Sequence, residues 1–170
     1  MRYSLVAGIV LMSITIATAK NPPDSAKSNP SFDKLKSLIG SWTGKDTDGN
    51  PVTISYKLVS AGTALMETLD MGADHEAMVT MYHMNGEKLM MTHYCSMGNQ
   101  PRMRADRLSK DGNTISFSYL DATNLSNKDS DHMHKLFFTF KDDTHFSQEW
   151  TMHMAGKKEH VALFEFERTK

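Results

Sequence analysis

The sequence lacks paired cysteines, an excess of basic residues and the common catalytic motifs. Its 170 residues include one cysteine, Cys95, so no disulfide can form within the chain. Lys and Arg number 19 against 20 Asp and Glu, and without a basic surplus we expect no nucleic-acid binding. The motifs Gly-x-Ser-x-Gly, His-Glu-x-x-His, Cys-x-x-Cys and the phosphate-binding loop are absent, which favours a protein that is not an enzyme.

The apolar run near the N-terminus is too short for a comfortable transmembrane helix. Residues 5–16 follow Met1-Arg2 and end at Ala17-Thr18-Ala19, a pattern typical of a signal peptide spanning residues 1–19. We therefore expect a secreted or periplasmic protein with no stable membrane span after cleavage. The Pro-, Ser- and Asn-rich residues 20–31 predict a flexible leader, and residues 32–170 predict a single domain.

After the leader, the sequence predicts one short helix and then a long series of strands. Ser31 is predicted to cap a helix over 32–39, and Gly40 to end it in a left-handed conformation. Alternating apolar and polar residues separated by turn signals then predict about ten antiparallel strands. These strands cover residues 41–45, 52–60, 64–70, 77–84, 87–95, 102–108, 114–121, 132–140, 144–152 and 158–168. The predicted fold is therefore all-β, an up-and-down antiparallel β-barrel with one short N-terminal helix.

The junction between helix and first strand carries a recognisable motif. Gly40-Ser41-Trp42 resembles the opening Gly-x-Trp of lipocalins and related calycin barrels, and its extension to Gly44 resembles nitrobindin-like haem-binding barrels. Segments 78–83, 91–95, 99–104, 131–134 and 148–151 resemble an uncharacterised family of bacterial lipocalin-like domains, over roughly residues 32–169. The resemblance implies a barrel in which Gly40, Trp42 and Gly44 are structural. The nitrobindin-like branch implies haem bound through a histidine near the C-terminus, and His160 lies in a similar place, although Asp46 replaces the last glycine of that branch's motif.

Strand alternation predicts which side chains line the barrel. In 132–140, His132, His134 and Phe138 oppose Lys135 and Lys141, and since lysines belong outside, the histidines should face inward. An Asn85-Gly86 turn would pair Tyr82 with Leu89, Thr80 with Met91 and Met78 with His93. The same alternation places Trp150, His160 and Phe164 inside and His145, Glu149 and His153 in water. Met133 falls on the outer face.

These faces lead to three hypotheses about function. The first is an interior site for a small, mainly apolar ligand, because Met and aromatic walls suit an adaptable pocket. The predicted ligand-binding residues are Met78, Tyr82, Met91, His93, Cys95, Arg102, Arg104, His132, His134, Phe138 and Trp150. The arginines would hold a carboxylate if they face inward and form a solvated edge if they face outward.

The second hypothesis is a metal or haem cofactor, and the third is an enzyme. His132 and His134 are two residues apart on one strand, and with His93 from a facing strand they could hold one metal ion, with Cys95 or water completing the shell. His160 would be an auxiliary ligand. An enzyme would use Cys95 with a histidine from another strand as a nucleophile and base. The residues leave the ligand's identity and the oligomeric state open.

Overall fold

The computed structural model describes residues 29–73 and 75–169, and it shows a closed barrel of ten antiparallel strands with one α-helix. The predicted signal peptide and most of the predicted leader lie outside the described residues. The strands are β1 Gly40–Lys45, β2 Pro51–Val59, β3 Ala64–Asp70, β4 Met78–Asn85, β5 Lys88–Tyr94, β6 Gln100–Ala105, β7 Thr114–Thr123, β8 His132–Phe140, β9 His145–His153 and β10 His160–Arg168. A 3-10 turn, Ser60–Gly62, joins β2 to β3. The predicted all-β barrel is confirmed.

Each strand pairs with its neighbours in sequence, and β1 pairs with β10 to close the barrel. The closing pair is held very close at Gly44, which lies opposite Phe166. A Cβ at position 44 would lie 2.1 Å from the backbone oxygen of Glu165. Only glycine allows the two strands to approach this closely, which supports the structural role predicted for Gly44.

The α-helix, α1, spans Pro30–Lys36 and is shorter than predicted, and its cap is a different residue. Asn29 caps it, accepting a 3.0 Å hydrogen bond from the backbone N–H of Phe32, and Pro30 occupies the first turn. The prediction that Ser31 is the cap is wrong, because Ser31 is already inside the helix and buried.

Helix α1 and the residues after it cover one end of the barrel. Leu35 and Leu38 are buried, and the indole Nε1 of Trp42 donates a 2.7 Å hydrogen bond to the Leu38 carbonyl. We call this the helix end, and the opposite end, formed by the loops 46–50, 71–77, 95–99, 124–131 and 154–159, the distal end. Because the strands alternate in direction, β4, β6, β8 and β10 begin at the distal end and β3, β5, β7 and β9 finish there.

Aromatic rings fill the helix half of the barrel. Phe146 lies with its ring centroid 4.7 Å from Trp42 and 5.0 Å from Phe166, and Phe138 stacks against it at 6.3 Å. Trp42 thus fills the helix end of the barrel as a buried ring. The remaining large core residues include Leu65, Tyr82, Leu89, Met91, Met103, Ile115, Phe117, Leu136, Trp150 and Phe164.

The β4–β5 hairpin has the predicted inward face but a different register. Its turn residues are Gly86 and Glu87, and Asn85 pairs with Lys88. Gly86 takes the positive φ of +59° that the turn requires. The predicted pairs are therefore wrong by two residues: Tyr82 lies opposite Met91, Thr80 opposite His93 and Met84 opposite Leu89. A shift of two keeps every side chain on its predicted face.

Strand β8 breaks its simple alternation at the distal end. Its register to β9 shifts between Met133 and Lys135, which is a β-bulge. His132 is buried as predicted, but His134 is only half-buried, and Met133, predicted to face outward, packs against the core. The outward prediction for Met133 fails because the extra residue of the bulge interrupts the period of two.

Within residues 29–73 and 75–169, no helix combines the length and apolar character needed to cross a membrane.

Candidate functional site

A row of four buried polar side chains crosses four neighbouring strands, beginning at Tyr56 beside Phe146 and ending at His93 near the distal end. Tyr56 in β2 lies opposite Glu67 in β3, Glu67 opposite Thr80 in β4, and Thr80 opposite His93 in β5. Cross-strand partners share a face of the sheet, so all four side chains point the same way, and all four are buried. We call Tyr56, Glu67, Thr80 and His93 the polar row.

Side chains from β4 and β9 complete the hydrogen bonding of the Glu67 carboxylate. Tyr82 Oη and Gln148 Nε2 each donate a 2.8 Å hydrogen bond to Glu67 Oε2. Gln148 Nε2 also donates to Tyr56 Oη at 2.8 Å, and its Oε1 accepts from Trp150 Nε1 at 2.9 Å. The amide of Gln148 therefore bridges the barrel interior from β9 to the polar row.

Burial dominates the electrostatics of this network. It raises the pKa of Glu67, a residue that is 1% exposed, although hydrogen bonds from Tyr82, Tyr56 and Gln148 oppose the shift. Burial, together with the nearby Glu67 carboxylate, also raises the pKa values of Tyr56 and Tyr82 well above their ordinary range. Both phenols therefore stay protonated as hydrogen-bond donors.

His93 is a neutral imidazole with one nitrogen unused. It is 2% exposed, and burial lowers its pKa to about 4. Its Nδ1 lies 2.9 Å from Thr80 Oγ1, and its ring centroid lies 4.7 Å from that of Trp150. Its Nε2 is buried and has no hydrogen-bond partner among the described residues.

A second group of rings lies where β7, β8 and β9 meet the distal end. The centroid of the His132 ring is 4.4 Å from that of Tyr119, 5.8 Å from His134 and 5.1 Å from His153. The His134 ring stacks on Tyr119 at 5.3 Å. We call these four residues the histidine cluster. His153, which was predicted to lie in water, is half-buried, because its ring packs against those of His132 and His134.

All the buried side-chain polar atoms that lack a partner in the described part of the chain lie at the distal end. They are His93 Nε2, Asn99 Oδ1, His132 Nε2 and His134 Nδ1. A buried polar group without a hydrogen bond costs about 1–3 kcal/mol, so native proteins keep few of them. The helix end has none in the described residues, which makes the distal end the candidate functional site.

Some of the other predicted site residues lie at the distal end, and others lie on the outer surface of the barrel. Cys95 is buried and Met78 is half-buried against the core, both near the distal end of their hairpin. Arg102 and Arg104 are exposed, and Arg102 forms a two-point ion pair with Asp121, so neither lines the interior. Of the two orientations considered for these arginines, the structure has the outward one, because the buried Met103 between them occupies the inward face of β6.

The histidines predicted to hold a metal or haem are divided. His93 packs on Trp150, whereas His132 and His134 pack with Tyr119 and His153. In the described part of the chain, no three His, Cys, Asp or Glu side chains form a group that could hold a metal ion. His160 is exposed rather than inward, because it is the first residue of β10 at the rim of the barrel. We derive no metal or haem chemistry from these residues.

Two clefts lie away from the distal site. One, of about 780 Å³, is at the helix end between the start of α1, the β4–β5 turn and residues 104–109, and it includes Arg104 and Leu108. The other, of about 420 Å³, lies along β1 and β10 and includes Gly44 and His145. Neither is lined by a residue with an unpartnered buried polar atom.

Sequence reasoning missed several residues of the site, namely Tyr56, Glu67, Asn99 and Tyr119. Glu67 lies between Leu65 and Leu69 at the spacing that shares one strand face, and both leucines are buried. A carboxylate at an inward position of an alternating strand is therefore the sequence signal that could have identified Glu67 as a site residue. Tyr56 follows Val52 and Ile54 at the same spacing.

Comparisons with known proteins support the fold. No family model and no curated protein matches the sequence. The structure is similar to that of Rv2717c from M. tuberculosis, with a TM-score of 0.56 and 16% identity over 83% of this chain and 98% of that one. It is also similar to a protein of unknown function of the DUF3598 family from Nostoc punctiforme, with a TM-score of 0.53 and 14% identity over 79% of this chain and 48% of that one. The chain thus spans about half of the second protein, and at these identities the likeness shows the lipocalin-like barrel fold alone.

Proposed function

We propose that the protein binds a small, mainly apolar ligand in the distal half of its barrel. The observation that carries the proposal is that, among the described residues, the unpartnered buried polar atoms all lie at that end, on His93, Asn99, His132 and His134. A ligand that hydrogen-bonds to them would recover free energy that the unliganded protein forgoes. The helix end offers no such gain among the described residues.

The surroundings of these atoms favour a ligand with a large apolar part. Leu69 and Met78 lie opposite each other on the rung next to the polar row, towards the distal end, and Cys95 continues the inward face of β5. Met78 is unbranched and half-buried, so its side chain can move aside at low cost. The apolar part of the ligand would pack against these side chains, and its polar group would hydrogen-bond to the imidazole nitrogens of the distal end.

The polar row supports this role by holding His93 in place. Thr80 fixes the Nδ1 edge of the ring and Trp150 covers its face. Strand register sets the positions of all three residues, so the unused Nε2 is a rigid contact point. Secretion through the predicted signal peptide is part of the same proposal, with the ligand taken up outside the cytoplasm.

Native mass spectrometry of the protein isolated from its own source tests the proposal. We expect a bound small molecule in the wild-type protein and its loss in Met78→Trp, which adds bulk opposite Leu69, next to the polar row. Leu108→Trp, which fills the helix-end cleft in the same way, is the matched control and should keep the ligand. Circular dichroism verifies that both variants fold.

Two results would contradict the proposal. Wild-type protein that consistently carries no small molecule, and takes up none from a cell extract, would remove the ligand. A ligand that is lost in Leu108→Trp but retained in Met78→Trp would place binding in the helix-end cleft instead.

A further inference from the structure

The His132 ring has a single neutral tautomer that its surroundings allow. Its Nδ1 lies 2.7 Å from the backbone oxygen of Ser130. A carbonyl oxygen can only accept a hydrogen bond, so Nδ1 carries the proton and donates it. The neutral ring therefore has its lone pair on Nε2, and this tautomer is set by the backbone just before β8.

That lone pair is buried and unused. His132 is 3% exposed, and its Nε2 has no partner among the described residues. The neighbouring His134 has an unpartnered buried Nδ1, and the centroids of the two rings are 5.8 Å apart. The histidine cluster thus offers a fixed hydrogen-bond acceptor with a second imidazole nitrogen beside it.

The rest of the cluster is aromatic and carries little net charge. Tyr119 and His153 are half-buried and present ring faces to His132 at 4.4 and 5.1 Å. The charged groups next to the cluster are paired. Lys135 Nζ lies 3.9 Å from Glu159 Oε2, and Asp121, which is close to Tyr119, forms an ion pair with Arg102. A planar aromatic ligand suits such a group of packed rings, and a neutral one would avoid the cost of burying a charge.

We propose that the ligand of the distal end is a neutral aromatic molecule whose hydroxyl or ring N–H group donates a hydrogen bond to His132 Nε2. This inference rests on the proposed function and narrows its ligand to one chemical class. A carbonyl, ether or carboxylate of the same shape has no proton to donate and would leave Nε2 unsatisfied. Metal binding is the competing use of the same lone pair.

Histidine-ring nitrogen NMR of the labelled protein tests the tautomer and the ligand class together. In the free protein, His132 should show a protonated Nδ1 and an unprotonated Nε2. Phenol should move the His132 Nε2 resonance and bind about tenfold more tightly than anisole, which has the same ring without the donor. Indole and N-methylindole form a second matched pair for the ring N–H.

Variants locate the donor contact. In His132→Phe, which keeps an aromatic ring but removes both nitrogens, phenol and anisole should bind with equal affinity. His145→Phe makes the same change at the helix end of β9, and it should keep the tenfold preference for phenol. The wild-type tautomer is read directly, so the test does not depend on how well His132→Phe folds.

The outcomes separate this inference from the proposal on which it rests. Equal binding of phenol and anisole at the distal end would overturn the donor inference and leave the ligand site standing. A protonated Nε2 in the free protein, or Zn²⁺ alone shifting His132, His134 and His153 together with high affinity, would also overturn it. A natural ligand found by mass spectrometry that has no hydroxyl or N–H donor would overturn it as well. If no aromatic probe and no natural ligand binds, both proposals fail.

Discussion

Replacing His93 with glutamine removes a buried imidazole whose charge state depends on folding. Burial lowers its pKa from 6.5 to about 4, so between these values the unfolded chain takes up a proton that the folded protein excludes. The pKa of His93 is lower in the folded state than in the unfolded state, so the unfolding free energy is at its full value above pH 6.5. It is lost as the pH falls from 6.5 towards 4, and below pH 4 the loss levels off.

The magnitude follows from the size of the pKa difference. One pKa unit corresponds to about 1.4 kcal/mol, so this residue should remove about 3 kcal/mol of unfolding free energy between pH 6.5 and pH 4. About two-thirds of that loss, roughly 2 kcal/mol, is expected by pH 5. Most single domains have only about 5–15 kcal/mol of stability, so the effect is large enough to measure.

Urea unfolding followed by tryptophan fluorescence from pH 4 to pH 7.5 is the assay. His93→Gln loses packing against Trp150 and should be less stable at pH 7, by about 1–3 kcal/mol. Its unfolding free energy should nevertheless fall less steeply with acid, so that the gap to the wild type closes by about 3 kcal/mol at pH 4. His75→Gln, in an exposed loop, is the matched control and should follow the wild-type curve.

Two results would refute this reasoning. A wild-type curve and a His93→Gln curve that stay parallel from pH 7 to pH 4 would show that His93 does not exclude the proton. NMR of the wild-type ring supplies the direct measurement, since its Cε1 proton should not titrate above pH 5. A ring that titrates near pH 6.5 would remove the basis of the prediction.

Two further predictions concern the interior network and the closing strands. Burial raises the pKa of Glu67, so the wild type loses unfolding free energy as the pH rises above 4.5 towards the folded-state value. Glu67→Gln removes this loss, so the unfolding free energy of the variant, measured in urea, should rise relative to that of the wild type between pH 5 and pH 8. A difference in unfolding free energy that is the same at both pH values would contradict this prediction. Gly44→Ala should destabilise the protein by about 3 kcal/mol or more in the same assay, because its Cβ would overlap the Glu165 backbone. Gly49→Ala, with open space but a positive φ of +85°, should cost only about 1 kcal/mol, and equal effects of the two would refute the role of the close contact.

The fold could be predicted from the sequence because a period of two decides most inward faces in an antiparallel barrel. Alternation placed Met91, Phe138 and Phe164 correctly, and all three are buried. It failed where the period is interrupted, as at the bulge beside His134, and where a strand ends, as at His160 on the rim. The alternation of apolar and polar residues in the sequence indicates neither a bulge nor how deep a residue lies within the barrel.

The polar site was harder to predict because it depends on register between strands. Tyr56, Glu67, Thr80 and His93 are separated by 11 to 13 positions along the sequence, and only the pairing of four strands sets them in one row. The sequence predicts a hairpin turn at Asn85-Gly86, whereas the structure has it at Gly86-Glu87. His93 therefore lies opposite Thr80 and not opposite Met78, as predicted. A slip of two residues leaves the lining unchanged but changes which side chains touch.

The two ends of the barrel differ in a way that separates stability from binding. At the helix end, Trp42 Nε1 donates to the Leu38 carbonyl, and the Arg168 guanidinium donates to the backbone oxygens of Ser37 and Ile39. At the distal end, the unpartnered nitrogens of His93 and His132 lie on strands, where backbone pairing prevents a rearrangement that would satisfy them. Fixed strands retain this cost until another molecule supplies the missing hydrogen bond. Substitutions at the helix end should therefore change the unfolding free energy alone, and those at the distal end should change ligand affinity as well.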